Sequence, residues 1–349
     1  MSSIGEAIAT ARRARGLTQA DLAEQIGVRQ AALSRYESDL REPDEETLAL
    51  IAEKLGVTAR LLQRAGNVRG AMAVDAHMRR RATAKVTDWR QLEAQLNMLR
   101  IHTQQVWEIV GVQAPQSIPT FDPIDTIPAD AARMVRMQWR MPIGPVHSLT
   151  PWLESAGCFV VKQPFPTRRV DGLSQWIDSV PVMMLNEDSP PDRLRLTMAH
   201  ELGHLCLHSM TITEDVEQDA NDFAAEFLMP ADVIRPELRN LTTARLHNLK
   251  RKWGVSMGAL IERAYHLNVI PAAKRTSLWK QMSFNGWRTV EPLSSEVPQE
   301  VPKLDQAIAV ALSNLGLPAD EVAHMAGYSN AEENRLFRPK EGKSRLSAV

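Results

Sequence analysis

The chain has 349 residues and a formal net charge of −1, with 44% apolar and 24% charged residues, which is ordinary for a globular protein of two or three domains. This charge excludes a polycation held on nucleic acid by bulk electrostatics, and no run approaches the ~18 apolar residues of a membrane-spanning helix. Two cysteines, Cys158 and Cys206, are too few for a disulfide scaffold, and the N-terminus lacks the apolar core of a signal peptide. We therefore expect a cytoplasmic, multidomain protein without a membrane partner.

Residues 1–65 are predicted to form an all-α domain of short helices. Turn signals recur along it, at Gly16, Gly27, Pro43 and Gly56. The apolar residues between these signals are spaced by three and four, which is typical of amphipathic helices. Thr18 is a good N-cap for one of them, and Gly27 permits a tight turn before a helix that begins near Arg29.

The same segment resembles a known family. It contains Thr18-Gln19-x-x-Leu22-Ala23-x-x-Ile26-Gly27-Val28, Leu33-Ser34-Arg35-Tyr36-Glu37 and Leu55-Gly56-Val57. This pattern closely resembles the XRE, or Cro/C1-like, helix-turn-helix family over the whole domain. The resemblance implies DNA as a partner, with Gln19 and Arg35 at phosphates and Gln30, Ala31 and Ser34 at base edges. It also implies a structural ion pair between Arg12 and Glu37.

Two features oppose strong DNA binding. Arg29 occupies the cap position of the recognition helix, where the family usually has Ser or Thr. Residues 1–65 contain nine Lys and Arg against ten Asp and Glu, so nonspecific affinity for DNA should be low. The alternative is a helical interaction module that has lost DNA binding.

Residues 66–128 are predicted to be a helical connector followed by a proline-rich linker. The composition of 66–110 favours helix, and its cluster Arg79-Arg80-Arg81 with Lys85 could touch phosphate. A solvated helix or the surface of a homodimer is an equal alternative. Residues 111–128 carry four prolines and indicate a linker or an extended crossing segment, with a new helix near Pro128 and Asp130.

Residues 129–293 are predicted to form an α+β domain. Short apolar runs at 158–161 and 180–185 indicate strands, and the proline in the second run favours an edge strand or a strand start. Helices are predicted over 192–208, over 214–229 where Pro230 halts the helix, and over 242–268.

The helix over 192–208 contains a metal-binding pattern, His200-Glu201-Leu202-Gly203-His204. Residues four apart share a helix face, so both imidazoles can point at one ion. Zinc takes two histidines, a third protein ligand and a water. Glu201, next to the first histidine, can take a proton from that water and deliver it to a leaving amine, so it is the candidate catalytic base.

The third ligand is expected on the helix that follows. Glu217 and Asn221 are four apart, so Glu217 could bind the ion while Asn221 supports a histidine ring. The competing ligands are Glu214, Asp215 and Asp219. His208 extends the face of His204, either as a fourth ligand or, as we prefer, as a packed or supporting residue. Cys206 points away from His204 and is expected in the core.

These two helices together resemble a second known family. LRLTMAHELGHLCLH followed by VEQDANDFAAEFLMP is similar to the metallopeptidases related to ImmA and IrrE. The resemblance covers roughly residues 129–293 and implies a gluzincin-like fold, with zinc on His200, His204 and Glu217. It implies endopeptidase activity in which Glu201 is the general base and Asn221 supports the site, and a substrate that is commonly a DNA-binding repressor. His247, Tyr265 and His266 are the nearest candidates for the donor that stabilises the transition state.

Residues 294–349 are predicted to be a helical extension, with helices near 303–315 and 318–325. A faint pattern around Gly327, Tyr328 and Ser329 resembles a degenerate second helix-turn-helix, but we prefer a helical hairpin that covers the protease domain.

The whole sequence therefore predicts a zinc endopeptidase coupled to a DNA-binding domain, which cleaves a transcriptional regulator in a stress or regulatory response. One alternative is a non-proteolytic transcription factor or antitoxin-like protein that uses the metal fold as a sensor or scaffold. Another is a zinc hydrolase that acts on a non-peptide amide.

Overall fold

The computed structural model describes residues 3–65, 85–177, 180–209, 214–288 and 290–338. These residues form two compact units, which are described separately. The first comprises residues 3–65, 85–113 and 303–338, and the second comprises 114–302. The described parts are mainly helical with one small mixed sheet, which confirms the predicted fold class. The basic cluster predicted at 79–81 lies outside the described residues.

The described helices of the first unit are α1 (Ile4–Ala14), α2 (Gln19–Gln25), α3 (Gln30–Glu37), α4 (Glu45–Lys54), α5 (Ala59–Ala65) and α6 (Val86–Val110). Those of the second unit are α7 (Pro128–Gln138), α8 (Thr150–Ser155), α9 (Pro191–Leu207), α10 (Val216–Leu228), α11 (Ala231–Ile234), α12 (Thr243–Trp253), α13 (Met257–His266) and α14 (Ala272–Phe284). The first unit resumes with α15 (Leu304–Ser313) and α16 (Ala319–Met325). The strands are β1 (Phe159–Gln163), β2 (Gly172–Ile177) and β3 (Val180–Asn186).

Helices α1 to α5 pack around one apolar core. Ile8, Leu22, Leu33 and Ile51 are buried in it, as the spacing of three and four predicts. The Thr18 hydroxyl accepts a hydrogen bond from the Asp21 N–H at 3.2 Å, and the Asp21 carboxylate accepts one from the Thr18 N–H at 2.8 Å. This reciprocal capping box fixes the start of α2 at the predicted N-cap.

The C-terminal tail folds with the first unit. Val57 pairs with Tyr328 in an isolated bridge, the Thr58 N–H donates to the Gly327 carbonyl at 2.9 Å, and the Ser329 N–H donates to the Gly56 carbonyl at 3.1 Å. The expectation that the tail covers the protease domain is therefore corrected, because its partner is the turn between α4 and α5. Turns and bends follow Ser329 as far as residue 338, so the described tail contains no second recognition helix.

A buried histidine joins α6 to this tail. The His102 ring stacks on Tyr328 with centroids 4.0 Å apart, and its Nδ1 hydrogen-bonds to the Ala326 carbonyl at 2.7 Å. Burial lowers the pKa of His102 to about 4, so the ring is neutral at pH 7. Gly327 has a φ of +86°, and a Cβ there would lie 2.1 Å from the Leu61 Cδ1, so only glycine fits this contact.

The sheet of the second unit has the order β1-β3-β2, with β1 parallel and β2 antiparallel to β3. β1 and β3 correspond to the two predicted strands, while β2 was not predicted. Of the two positions predicted for the proline-containing strand, an edge or a strand start for the proline, the structure shows the second, because β3 is central in the sheet. Pro181 is tolerated there because the pairing with β1 begins only at Val182, so the proline is at a strand start.

Residues on both sides of the predicted 129–293 domain fold into the second unit. The Phe121 N–H donates to the Cys206 carbonyl at 2.7 Å, so the proline-rich segment crosses the unit as ordered chain. At the other end, the buried Glu300 carboxylate pairs with Arg195 at 3.2 Å and accepts the N–H groups of Leu149 and Thr150. The predicted helical run over 242–268 is divided into α12 and α13 near Gly254.

Candidate metal centre and nucleic-acid interface

Helices α9 and α10 lie against each other at very short range. α9 begins at Pro191, which suits a first helical position, and it buries Leu194, Met198 and Leu202 in the core. Gly203 lies where the two helices meet: a Cβ there would be 3.2 Å from the Ala220 Cα and 3.2 Å from Phe223. A glycine at this contact therefore allows α10 to approach the histidine face of α9.

Three side chains converge across this contact. The Nε2 atoms of His200 and His204 lie 3.0 Å apart. The two carboxylate oxygens of Glu217 lie 3.5 Å from the His200 Nε2 and 3.5 Å from the His204 Nε2. All three donor atoms lie within 4.8 Å of one another, and both histidines are buried. The structure thus brings together the three predicted metal ligands from two helices.

The outer nitrogens of both rings have partners. The His200 Nδ1 lies 3.0 Å from the Asn221 Oδ1, and because an amide oxygen only accepts, the ring donates from Nδ1. The His204 Nδ1 lies 3.1 Å from the His208 Nδ1, and the His208 Nε2 lies 3.5 Å from the Asp219 Oδ2. Burial lowers the pKa of His208, which favours its neutral form. These contacts orient both imidazoles so that Nε2 faces Glu217.

Glu201 is held beside this group by a residue that the sequence did not indicate. The Ser174 hydroxyl of β2 donates to the Glu201 Oε2 at 2.8 Å and lies 3.1 Å from the Glu201 carbonyl. Glu201 is buried, with 3% of its surface exposed. β2 therefore fixes the rotamer of the predicted catalytic base.

The donor set fits a divalent metal ion. Two neutral imidazoles and a carboxylate form a recurrent catalytic zinc set, with metal–ligand bonds of about 2.0–2.2 Å. Tetrahedral ligands at that bond length lie roughly 3.3 Å from one another, close to the 3.0 and 3.5 Å separations of these atoms. The side chains of this chain are thus already arranged at the spacing that such an ion needs.

The competing ligands lie elsewhere. Glu214 and Asp215 are exposed, and Asp219 faces His208 rather than the pair of Nε2 atoms. His208 lies behind His204, in the supporting position that the sequence favoured. Cys206 is fully buried in the apolar core of the second unit.

The three candidates for a transition-state donor lie outside the His200–His204–Glu217 group. The ring of His247 lies 5.5 Å from that of Trp287, and Tyr265 lies beneath the Arg275 guanidinium at 4.9 Å. His266 is exposed at the end of α13. The geometry therefore selects none of them as the donor.

In the first unit, a polar chain runs from the domain interior to the exposed end of α3. Arg12 donates two hydrogen bonds to the Glu37 carboxylate, at 2.5 and 2.8 Å. The Gln19 Nε2 donates to the Glu37 Oε2 at 2.8 Å, and the Gln30 Nε2 donates to the Gln19 Oε1 at 2.7 Å. The ion pair implied by the resemblance is present, and it orients Gln19 and, through it, Gln30.

The remaining predicted DNA contacts lie along the same helix. Gln30, Ala31 and Arg35 are exposed, and Ser34 is half-buried. Arg29, the N-cap of α3, makes no side-chain cap hydrogen bond, in keeping with its departure from the usual Ser or Thr.

The fold and the site define a class of protein: a metal-binding hydrolase-type domain in one unit and a helix-turn-helix domain in the other. Residues 153–265 match the family model for the IrrE N-terminal-like domain, peptidase family M78, and residues 8–62 match the helix-turn-helix family model. The chain therefore carries an IrrE N-terminal-like domain and an N-terminal helix-turn-helix domain of the XRE type, as the sequence predicts. A search of curated proteins found no match to the chain. Among the described helices, none combines the length and the apolar character needed to cross a membrane.

Proposed function

We propose that this protein is a zinc-dependent endopeptidase coupled to a DNA-binding domain, and that it cleaves a DNA-binding repressor. The observation that carries the proposal is the convergence of two histidine Nε2 atoms and the Glu217 carboxylate, with Glu201 buried beside them. A family model for a peptidase domain covers all four of these residues.

The roles of the residues follow from their positions. His200, His204 and Glu217 would hold the zinc ion, which when bound acts as a Lewis acid toward water and the peptide carbonyl. Glu201 accepts the proton of the attacking water as the oxygen–carbon bond forms, and it delivers that proton to the amide nitrogen as the carbon–nitrogen bond breaks. Ser174 keeps the Glu201 carboxylate in one rotamer through both transfers.

The sheet offers a place for the substrate backbone. β2 lies at an edge of the described sheet, and it carries Ser174 next to Glu201. An extended substrate segment added along this edge would make backbone hydrogen bonds to β2 and pass close to the catalytic base.

The helix-turn-helix domain suggests where the protein works. In the cytoplasm, DNA binding through α3 would concentrate the peptidase near a promoter-bound repressor or let the protein regulate its own gene, in a stress or regulatory response. The chain of contacts from Glu37 through Gln19 to Gln30 supports this role, because it orients an exposed side chain of the predicted recognition helix. These contacts of Gln19 and Gln30 also support a second candidate function, a non-proteolytic regulator in which the metal domain serves as a sensor.

The isosteric substitution Glu201→Gln distinguishes the peptidase from the non-proteolytic sensor. The zinc-loaded full chain is incubated with purified regulators encoded beside its gene, and the products are identified by mass spectrometry. We expect cleavage by the wild type and by Glu214→Gln, an exposed control, and a loss of roughly 10³-fold for Glu201→Gln with zinc content unchanged. A regulatory phenotype that survives Glu201→Gln, without cleavage of any regulator by the wild type, would reject the peptidase in favour of the sensor.

A further inference from the structure

Arg29 immediately precedes the predicted recognition helix α3 and is not a residue type that supports the start of a helix. Its backbone has the extended conformation of an N-cap, with φ −73° and ψ 141°, but its side chain makes no cap hydrogen bond. A guanidinium carries only hydrogen-bond donors, so it cannot accept from the N–H groups at the start of α3. The positive end of the helix dipole also repels a cation. Arg29 therefore gives α3 less stability than Ser or Thr would give at this position.

The Arg29 guanidinium also has no partner within the described parts of the chain. It is exposed, and it makes no hydrogen bond or ion pair with any residue that the structure describes. Other arginines of the domain are engaged, since Arg12 pairs with Glu37 and Arg15 pairs with Glu333. Arg29 thus departs from the local rule for a helix start without a compensating contact, and such departures are expected at functional positions.

The position of Arg29 places it at the end of α3 that meets DNA. Residues 8–62 match the helix-turn-helix family model, and in such proteins the N-terminal residues of the recognition helix contact base edges in the major groove. Gln30, the next residue, is already oriented at this end, because its Nε2 donates to the Gln19 Oε1 at 2.7 Å. An unpaired guanidinium therefore lies beside an amide that is held ready for a base contact.

The charge of the domain favours recognition of a base over a general attraction to phosphates. Residues 1–65 contain nine Lys and Arg against ten Asp and Glu, so the domain as a whole has little attraction for the DNA backbone. Selective binding then depends on direct contacts with base edges. An arginine donates two parallel hydrogen bonds to the O6 and N7 atoms of guanine, which is the commonest specific contact in the major groove.

We propose that Arg29 is a specificity-determining residue of the DNA-binding domain, and that it recognises a guanine next to the base contacted by Gln30. The inference rests on the DNA binding in the proposed function and deepens it by naming a base that the domain selects. Because Arg29 stands where the helix-turn-helix family usually has Ser or Thr, the preference for guanine belongs to this chain rather than to the fold. The stability that α3 lacks without a cap is offset by hydrogen bonds that form only with DNA.

The test replaces Arg29 with a residue that improves the helix. Arg29→Ser supplies a cap for α3, so the domain should fold at least as well as the wild type, with hydrogen exchange over α3 about fivefold slower. Arg60→Ser, which removes an exposed arginine from α5, is the matched control for the loss of one positive charge. Each full-length protein selects sites from a random double-stranded DNA library, and the bound sequences are determined.

We expect the wild type and Arg60→Ser to select a motif with a guanine at one position that Arg29→Ser leaves unspecified, with the rest of the motif retained. Fluorescence anisotropy at constant ionic strength then gives the Kd of each protein for the selected site. Replacing that guanine with 7-deazaguanine, which lacks the N7 acceptor, should raise the Kd of the wild type and of Arg60→Ser at least about fivefold. The Kd of Arg29→Ser should not change.

The other outcomes separate this inference from the proposed function. A motif that is the same in the wild type and in Arg29→Ser overturns the guanine contact but keeps the DNA-binding domain. Equal weakening of Arg29→Ser on every sequence, with a salt dependence lower by about one phosphate, also overturns it, because that result identifies a phosphate contact. A wild type that selects no sequence overturns the DNA binding itself.

Discussion

At the metal centre and at the recognition helix, partners behind the functional side chains fix their orientation, but the side chains point inward at the first site and outward at the second. In the second unit, Asn221 and His208 contact the outer Nδ1 atoms of His200 and His204, so that both Nε2 atoms point inward, toward the Glu217 carboxylate. In the first unit, the buried Arg12–Glu37 pair holds Gln19 through a hydrogen bond from Gln19 to Glu37. The series of hydrogen bonds ends at the exposed Gln30. Donor atoms that converge on an enclosed point are suited to binding an ion and to bond cleavage. An oriented side chain at the surface is suited to contacting another molecule.

The two sites also depend on different features of the surrounding structure. The metal centre depends on the close approach of two helices, so it is sensitive to packing. The recognition helix depends on a buried ion pair within one small domain, so it is sensitive to loss of charge. Mutations that attack packing or charge should therefore affect the two sites differently.

The largest effect is expected from Gly203→Val. The added side chain would meet Ala220 and Phe223, force α10 away from α9 and carry Glu217 out of reach of the histidines. Zinc affinity, measured by competition with a chelating dye, should fall by more than about 100-fold. Gly144→Val is the control, because a Cβ at Gly144 meets nothing within 4 Å. Normal zinc affinity in Gly203→Val would show that the close contact is dispensable.

In the first unit, Glu37→Ala should destabilise the helix-turn-helix domain by about 3 kcal/mol. The change leaves Arg12, only 7% exposed, as a buried charge without its carboxylate. Hydrogen exchange over α1 to α5 measures the loss, with the exposed Glu24→Ala as control. Zinc affinity of the second unit should stay at the wild-type value, and a parallel loss there would contradict the proposed independence of the two sites.

A smaller effect is expected from His208→Ala. Without the outer partner of the His204 Nδ1, the ring loses its fixed orientation, and zinc affinity should fall roughly 10- to 100-fold. His147→Ala removes an exposed histidine of the same unit and should leave affinity unchanged. Equal zinc affinities in the two variants would show that His208 only packs against its neighbours and does not orient His204.

The smallest effect concerns pH and the first unit alone. His102 has a folded pKa of about 4 against an ordinary value of 6.5, so the unfolded chain binds the extra proton between those values. Stability due to the neutral ring is complete above pH 6.5 and is lost as the pH falls toward 4. Between pH 7 and 5.5 the loss should be about 1 kcal/mol, seen as faster hydrogen exchange in α6 and α16 after correction for intrinsic rates. His102→Phe should remove this pH dependence, and an unchanged slope would assign it to other groups.

The sequence predicted the features of the site that depend on the spacing of residues within one helix. The His200–His204 and Glu217–Asn221 pairs each share one helix face, so both were visible in the sequence, and Pro230 correctly marked the end of α10. Two contacts between elements were not predicted, that of Ser174 with Glu201 and that of Asp219 with His208. Ser174 is 27 positions from Glu201, on a strand whose Gly-Leu-Ser-Gln-Trp-Ile run has no clear alternation. Asp219 was considered as a ligand because it is acidic and nearby, but the helix packing turns it toward His208 instead.

The tail shows the same limit on a larger scale. The two helices of the tail were predicted, but the docking of the turn at Gly327 depends on its close contact with Leu61, which is more than 260 positions away along the chain. Such long-range complementarity leaves no local signature in composition or spacing.

That docking makes the second unit an insertion within the first, because the chain leaves the first unit after residue 113 and re-enters it at 303. A stop codon after residue 302 would thus retain every predicted metal ligand but remove the Tyr328 and Ala326 contacts of His102. A cleavage of the chain within the insertion would leave the first unit as two fragments joined only by noncovalent contacts.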